Sequence, residues 1–301
     1  MILFRNFRMP AAGEGPMFWS CLAMLAIGIG TTFFISLYVV HEAYPVLAER
    51  GGLTGFLFID PWAPLASPPT FGIVHAWVST IAITTLCLAL AMPFGFGIGV
   101  FVAEVAPTAV KAALRPFIDL LAGIPSVVYG FFGYVTIIPW FESHFGMVTG
   151  ESILAAAMVL AVMVLPYIAS TSAEAFSAVP RELKETAMTQ GVTRWHAIRR
   201  IVIPCALPGM FAAVVLGLAR ALGETLAVMM LAGNSVAVPT GPLDRGQPIT
   251  ALIATELGEA GVGSEKYHAL FAAGLVLFVV IVLINGVITM LKSRLIHRHA
   301  Y

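Results

Sequence analysis

Six stretches of this chain run on almost without charge: residues 17–40, 77–102, 117–141, 153–171, 205–231 and 269–291. A bilayer core about 30 Å thick requires roughly 20 apolar residues per helix, so each stretch is predicted to span a membrane. Lipid offers no hydrogen bonds to a bare backbone, and spans of this length satisfy their own backbone groups as α-helices. With 59% hydrophobic and only 11% charged residues, the chain lies far from the composition of a soluble domain. The expected class is an all-α membrane protein with six transmembrane helices.

The first apolar stretch is too long for a signal peptide core, and Arg5 and Arg8 precede it, so it reads as a retained span. Lys and Arg favour cytoplasmic loops. With the N-terminus inside, twelve of the sixteen fall on the cytoplasmic side: Arg5, Arg8, Lys111, Arg115, Arg181, Lys184, Arg194, Arg199, Arg200, Lys292, Arg294 and Arg298. Arg50, Arg245 and Lys266 fall outside, and Arg220 lies in a span. The expected orientation is N-in, C-in. Cys21, Cys87 and Cys205 lie in spans without ligand spacing and read as packing residues.

In the second span Gly95, Gly97 and Gly99 carry the small-xxx-small spacing that lets membrane helices approach closely. The outer loop that begins at Ala232 is rich in turn formers, followed by a patterned stretch from Ile249 to Leu257 expected to be a short helix. The inner loop, residues 172–204, is unlike the rest. Pro180 suits a first helical position, Gly191 suits a left-handed helix end, and Thr193 can cap a second helix running to Pro204. Two short helices joined by a glycine turn are expected there.

That loop contains ETAMTQGVTRWHAIRRIVIP, which resembles the EAA loop of ABC importer permeases. Glu185, Ala187, Gly191, Ile201 and Pro204 fall in register with its pattern, while Thr186 and Ile203 depart from its alanine and leucine. The resemblance implies the type I ABC importer permease fold and a helix that inserts into a separate ATPase subunit, with Glu185 and Gly191 as coupling residues. The alternative is an amphipathic helix lying on the membrane surface with Trp195 as its anchor. No G-x-x-x-x-G-K-[ST] occurs in the chain, so ATP and magnesium are expected on partner ATPase subunits, with no cofactor on this chain. Neither HExxH nor a nucleophile, base and orienter grouping is present, and a non-catalytic subunit is expected. The histidines, among them His75, His144 and His268, fall near span ends and read as interfacial.

The fifth span holds Arg220 and Glu224 in GLARALGETLAV. A charge at the bilayer centre costs roughly 2.5–3.5 kcal/mol on insertion scales, so such residues usually face protein or a water-filled path. A spacing of four puts both on one helical face, about 6 Å apart along the axis. Their depth stays open: Arg220 lies about 24 Å up if the span starts at Pro204 and about 18 Å if it starts at Pro208. A structural ion pair and a transport role are both compatible with this spacing.

The flanking segments narrow the choice. GLARALGETLAV resembles the matching span of phosphate-specific ABC permeases of the PstC type, and VFVAEVAP, GIPSVVYGFFG, VLPYIAS, GNS and ITALIATELGEA agree in order. The resemblance implies that Arg220 and Glu224 line the substrate pathway. It further implies a second, PstA-like permease, two ATPase subunits, an extracytoplasmic phosphate-binding protein and a bacterial inner-membrane location. Permeases for molybdate and sulfate carry similar hexapeptides and remain alternatives, with an ion-coupled secondary transporter a more distant one. Nothing implies a nucleic-acid partner. The chain divides into residues 1–70 (a first helix and outer loop), residues 71–291 (a five-helix permease core) and residues 292–301 (a cytoplasmic tail).

Overall fold

A computed structural model describes residues 15–49, 52–59 and 61–298. Arg5, Arg8 and Arg50, three of the charges that bear on orientation, lie outside the described residues. The helices are α1 (Gly15–Glu49), α2 (Gly52–Thr54), α3 (Val74–Val100), α4 (Thr108–Gly123), α5 (Ser126–Phe145), α6 (Ile153–Ser177), α7 (Arg181–Thr189), α8 (Arg194–Ala197), α9 (Ile203–Leu222), α10 (Leu226–Leu231), α11 (Ile249–Glu256) and α12 (Glu265–Arg298). Five continuous helical stretches among the described residues are long and apolar enough to cross a bilayer: Met17–Ala48, Val74–Val105, Ile153–Ser177, Arg194–Leu222 and Glu265–Met290. The expected short helix near Ile249 is α11. A two-residue hairpin, β1 (Trp62–Ala63) with β2 (Thr70–Phe71), is the one β element with named strands among the described residues.

The third apolar stretch does not form one straight span. It is split between α4 and α5, which meet at 88°. Pro125 has no N–H to offer a helix and pushes Ile124 into extended backbone, φ −66° and ψ 129°. Together with Gly123 this turns the chain sharply, and the sixth crossing is either a broken span or a re-entrant loop.

The fifth stretch is interrupted as well. Helix α9 ends at Leu222 and α10 begins at Leu226, so Glu224 sits in a break and not on the helix that carries Arg220. Side chains take over for the backbone there. Glu224 Oε1 accepts from Ala227 N at 3.4 Å, and the Thr250 hydroxyl donates to Glu224 O at 2.9 Å. Broken backbone is tolerated at membrane depth where such partners exist.

Helix α6 is the centre of the bundle. Its alanines 155, 156 and 157, with Leu160, Val164 and Ile168, are buried in a core shared with α3, α9 and α10. Close approach of α3 explains two of the three glycines: a Cβ on Gly95 would meet Ile168 Cγ2 at 2.6 Å, and one on Gly99 would meet Ser172 Cβ at 2.7 Å. Gly97, expected with the other two to serve packing, lies on the opposite face with open space around it, so close approach does not require it. A second core joins α1 to α12 through Ala43, Val46, Ala269, Ala272 and Ala273. A third, smaller one, Phe176, Val179, Val202 and Ala206, ties α6 to α9 at the loop end of the bundle.

Candidate functional site

Arg220 and Glu224 face each other across the end of α9. Arg220 Nη2 lies 3.8 Å from Glu224 Oε2, which is ion-pair distance but longer than a hydrogen bond. The Glu224 side chain is 4% exposed and that of Arg220 39%. Burial of the carboxylate is made tolerable by the N–H of Ala227 and the facing guanidinium. The Arg220 Nε is buried without a hydrogen-bond partner, although the side chain as a whole is more than a third exposed.

Tyr167, which sequence reasoning passed over, completes the arrangement. The Arg220 guanidinium carbon lies 5.6 Å from the centroid of the Tyr167 ring, and the Tyr167 hydroxyl donates to Ala122 O at 3.0 Å. The ring attracts the cation while the hydroxyl anchors to the last turn of α4. Arg220 is thereby linked to the α4–α5 bend. The signal available in sequence was a tyrosine following a proline in an apolar run, whose polar tip needs a partner once buried. A partly exposed cation beside an aromatic ring, met by its carboxylate only at ion-pair distance, can hold an anion; the carboxylate opposite can hold the cation when no anion is present.

The GNS segment has a local structural task. Gly233, φ +83°, and Asn234, φ +47°, turn the chain after α10, and Asn234 Nδ2 bonds back to Met229 O at 2.8 Å. Arg245 closes the same corner through Gly233 O at 2.8 Å and Glu151 at 3.2 Å.

The loop of residues 172–204 holds the two expected helices and the glycine turn between them. Pro180 immediately precedes α7, Gly191 turns the chain at φ +75°, and Thr193 Oγ1 accepts from His196 N at 3.4 Å. A Cβ on Gly191 would meet nothing within 4 Å, so backbone conformation, not space, requires glycine here. The second helix does not stop at Pro204. It passes through a π turn, Ile198–Val202, directly into α9, giving one helical stretch Arg194–Leu222. In that wider turn Ile203 N bonds to Ile198 O, five residues back, and the helix geometry shifts just before the proline.

The five loop candidates therefore separate. Glu185 is exposed on α7 beside exposed Leu183 and Met188, Ala187 is buried beneath them, and Gly191 forms the turn. Ile201 and Pro204 are half-buried at the base of the fifth span. Of the histidines, His75 is not interfacial: it is buried, with Nε2 3.3 Å from Gln247 Oε1. His268 Nδ1 lies 2.9 Å from Glu42 O.

Comparison with known proteins agrees with this architecture. Residues 95–297 match the family model described as binding-protein-dependent transport system inner membrane component. The chain is 37% identical over 278 residues to the probable ABC transporter permease protein YqgH of Bacillus subtilis, covering 91% of this chain and 87% of that one. It is 34% identical over 277 residues to the phosphate transport system permease protein PstC of Haemophilus influenzae, covering 86% and 85%. In fold it resembles a chain of a bacterial alginate ABC transporter, with TM-score 0.63, 16% identity and coverage of 94% and 96%. It also resembles a chain of the MetNI methionine ABC transporter in an inward-facing conformation, with TM-score 0.60, 19% identity and coverage of 77% and 99%. From the match over most of the chain and the shared helical architecture, this protein belongs to the family of inner membrane components of binding-protein-dependent transport systems.

Proposed function

We propose that this permease subunit carries phosphate inward, oriented N-in and C-in, with residues 71–291 forming its transport core. The observation that carries the reading is the poised Arg220: a cation beside the Tyr167 ring, faced by Glu224 beyond hydrogen-bond distance and more than a third exposed. Such a group suits an oxyanion, because a guanidinium presents planar paired donors to phosphate. Similarity to proteins named phosphate transport system permease PstC supports phosphate over other oxyanions. Arg220 attracts the anion as the pathway opens, and Glu224 takes the guanidinium back as the anion leaves.

The remaining parts follow from the same reading. A second, PstA-like permease completes the pathway, an extracytoplasmic phosphate-binding protein delivers the anion, and two ATPase subunits bind and hydrolyse ATP with magnesium. Exposed Glu185, Leu183 and Met188 on α7 offer a mixed apolar and acidic surface to an ATPase cleft. Differences in binding between ATPase states then bias the spans between inward-open and outward-open arrangements. The test is phosphate uptake in cells that lack other phosphate importers. Arg220→Gln, expressed at the level of the parent, is expected to abolish uptake; full uptake would remove Arg220 from the pathway.

A further inference from the structure

The second span and the inner loop are joined at Glu104. This residue lies in the π turn Phe101–Val105 that ends α3, just before Pro107 stops the helix. Helix ends leave carbonyls without backbone partners, and a π turn shifts the pattern by one residue. Here side chains from two other elements fill the places. Lys111 Nζ, on α4, donates to Ala103 O at 2.8 Å, and Arg194, at the start of α8, donates to Glu104 O. The Glu104 carboxylate itself receives Lys184 Nζ, from α7, at 2.5 Å. Lys184 also donates to Phe176 O, in the last turn of α6, at 3.2 Å.

This pair is sheltered, with the Lys184 side chain 21% exposed and that of Glu104 12%. Apolar packing does little to hold α7. Ala187 is its one buried residue, and a cleft of about 400 Å³, lined by Glu185, Met188, Ala197, Ile198 and Val202 among others, runs alongside it. A short helix with so little buried surface transmits force through its polar attachments. Those attachments reach the ends of α3 and α6, the two helices locked together by Gly95 and Gly99.

We propose that the Glu104–Lys184 pair, with Arg194, is the transmission latch of this permease: the contact through which displacement of α7 reaches α3 and α6. Glu104, Lys184 and Arg194 are positioning residues; they touch neither substrate nor nucleotide. The proposal rests on the reading of α7 as the ATPase contact.

The experiment uses the full complex in proteoliposomes with inorganic phosphate. ATPase stoichiometry after purification and phosphate moved per ATP hydrolysed are measured for E104Q, K184M and K184R. The latch predicts parental ATPase stoichiometry in all three, a fall of about tenfold in phosphate per ATP for E104Q and K184M, and near-parental coupling for K184R. Whole-site coupling is typically about 5- to 150-fold, so a tenfold loss corresponds to breaking a main link in it. Parental coupling in E104Q and K184M would overturn the latch, as would loss of the ATPase with phosphate per ATP unchanged in what remains assembled. Should either single variant fail to assemble, E104M/K184M removes both charges together and carries the same test. Glu185→Ala serves as the control for the underlying reading: if it uncouples while E104Q does not, the latch alone fails, and if it too is silent, α7 is not the ATPase contact.

Discussion

Arg220 Nη2 lies 3.8 Å from Glu224 Oε2 across the Gly223–Glu224–Thr225 break that separates α9 from α10. The pair is asymmetric, one side chain nearly enclosed and the other open along one edge. Glu224→Gln keeps a carbonyl oxygen for Ala227 N and removes the charge. Because Arg220 is more than a third exposed, the stability loss is expected at about 1 kcal/mol, within the range for screened pairs. Phosphate uptake is expected to fall about tenfold, which corresponds to about 1.4 kcal/mol in the barrier. Thermal unfolding of the purified complex and initial uptake rates check the two figures separately.

Gly191 tests the loop. At φ +75° a side chain with a Cβ is strained by about 1–2 kcal/mol, and asparagine tolerates the region better than alanine or valine. Gly191→Val is expected to lower ATPase co-purification and uptake together, Gly191→Asn to keep most of both. Equal behaviour of the two variants would show that the left-handed turn is immaterial.

The α3–α6 seam separates crowded glycines from a free one. Gly95→Ala and Gly99→Ala force contacts with Ile168 and Ser172, and overpacking of this kind costs about 1–3 kcal/mol. Gly97→Ala meets nothing and is expected to leave stability unchanged or slightly raised. Unfolding midpoints of the three single variants, measured in one detergent, give the comparison.

The lengths of the helical stretches were legible because a bilayer imposes them, and the glycine turn was legible because a left-handed residue limits the choice of amino acid. The breaks were harder to read. Gly123 and Pro125 stood in plain view, yet such residues are also tolerated within continuous membrane helices when neighbours satisfy the backbone. The Glu224 break depends on the hydroxyl of Thr250, on another helix, and Tyr167 matters through groups distant in sequence. Pro204 misled as a helix end because the preceding π turn carries the helix past it.

Outside the spans, Asp244 organises the loop before α11. Its Oδ2 accepts from the Thr240 hydroxyl at 2.7 Å, Thr240 N at 2.7 Å and Gly241 N at 2.8 Å. These bonds, the Thr240 hydroxyl foremost, hold its carboxyl below the usual carboxylate range. A lowered folded-state value means that the contribution to loop stability is complete above the ordinary carboxylate pKa and is lost as pH falls through the lowered one. Amide exchange at Thr240 and Gly241 is therefore expected to stay protected at pH 7 and to open in acid, once exchange rates are corrected for pH. Asp244→Asn is expected to exchange faster than the parent already at pH 7, and protection that ignores both acid and substitution would contradict this account.

ATP-driven phosphate import requires this permease to work within an assembly. Tandem purification of the tagged chain, followed by reconstitution with the binding protein, tests it most directly. The expected result is recovery of an ATPase and a second permease with this chain, ATP hydrolysis stimulated by phosphate-loaded binding protein, and uptake that stops when ATP is withdrawn. A chain purified without an ATPase that moves phosphate along a proton gradient, indifferent to ATP, would contradict it.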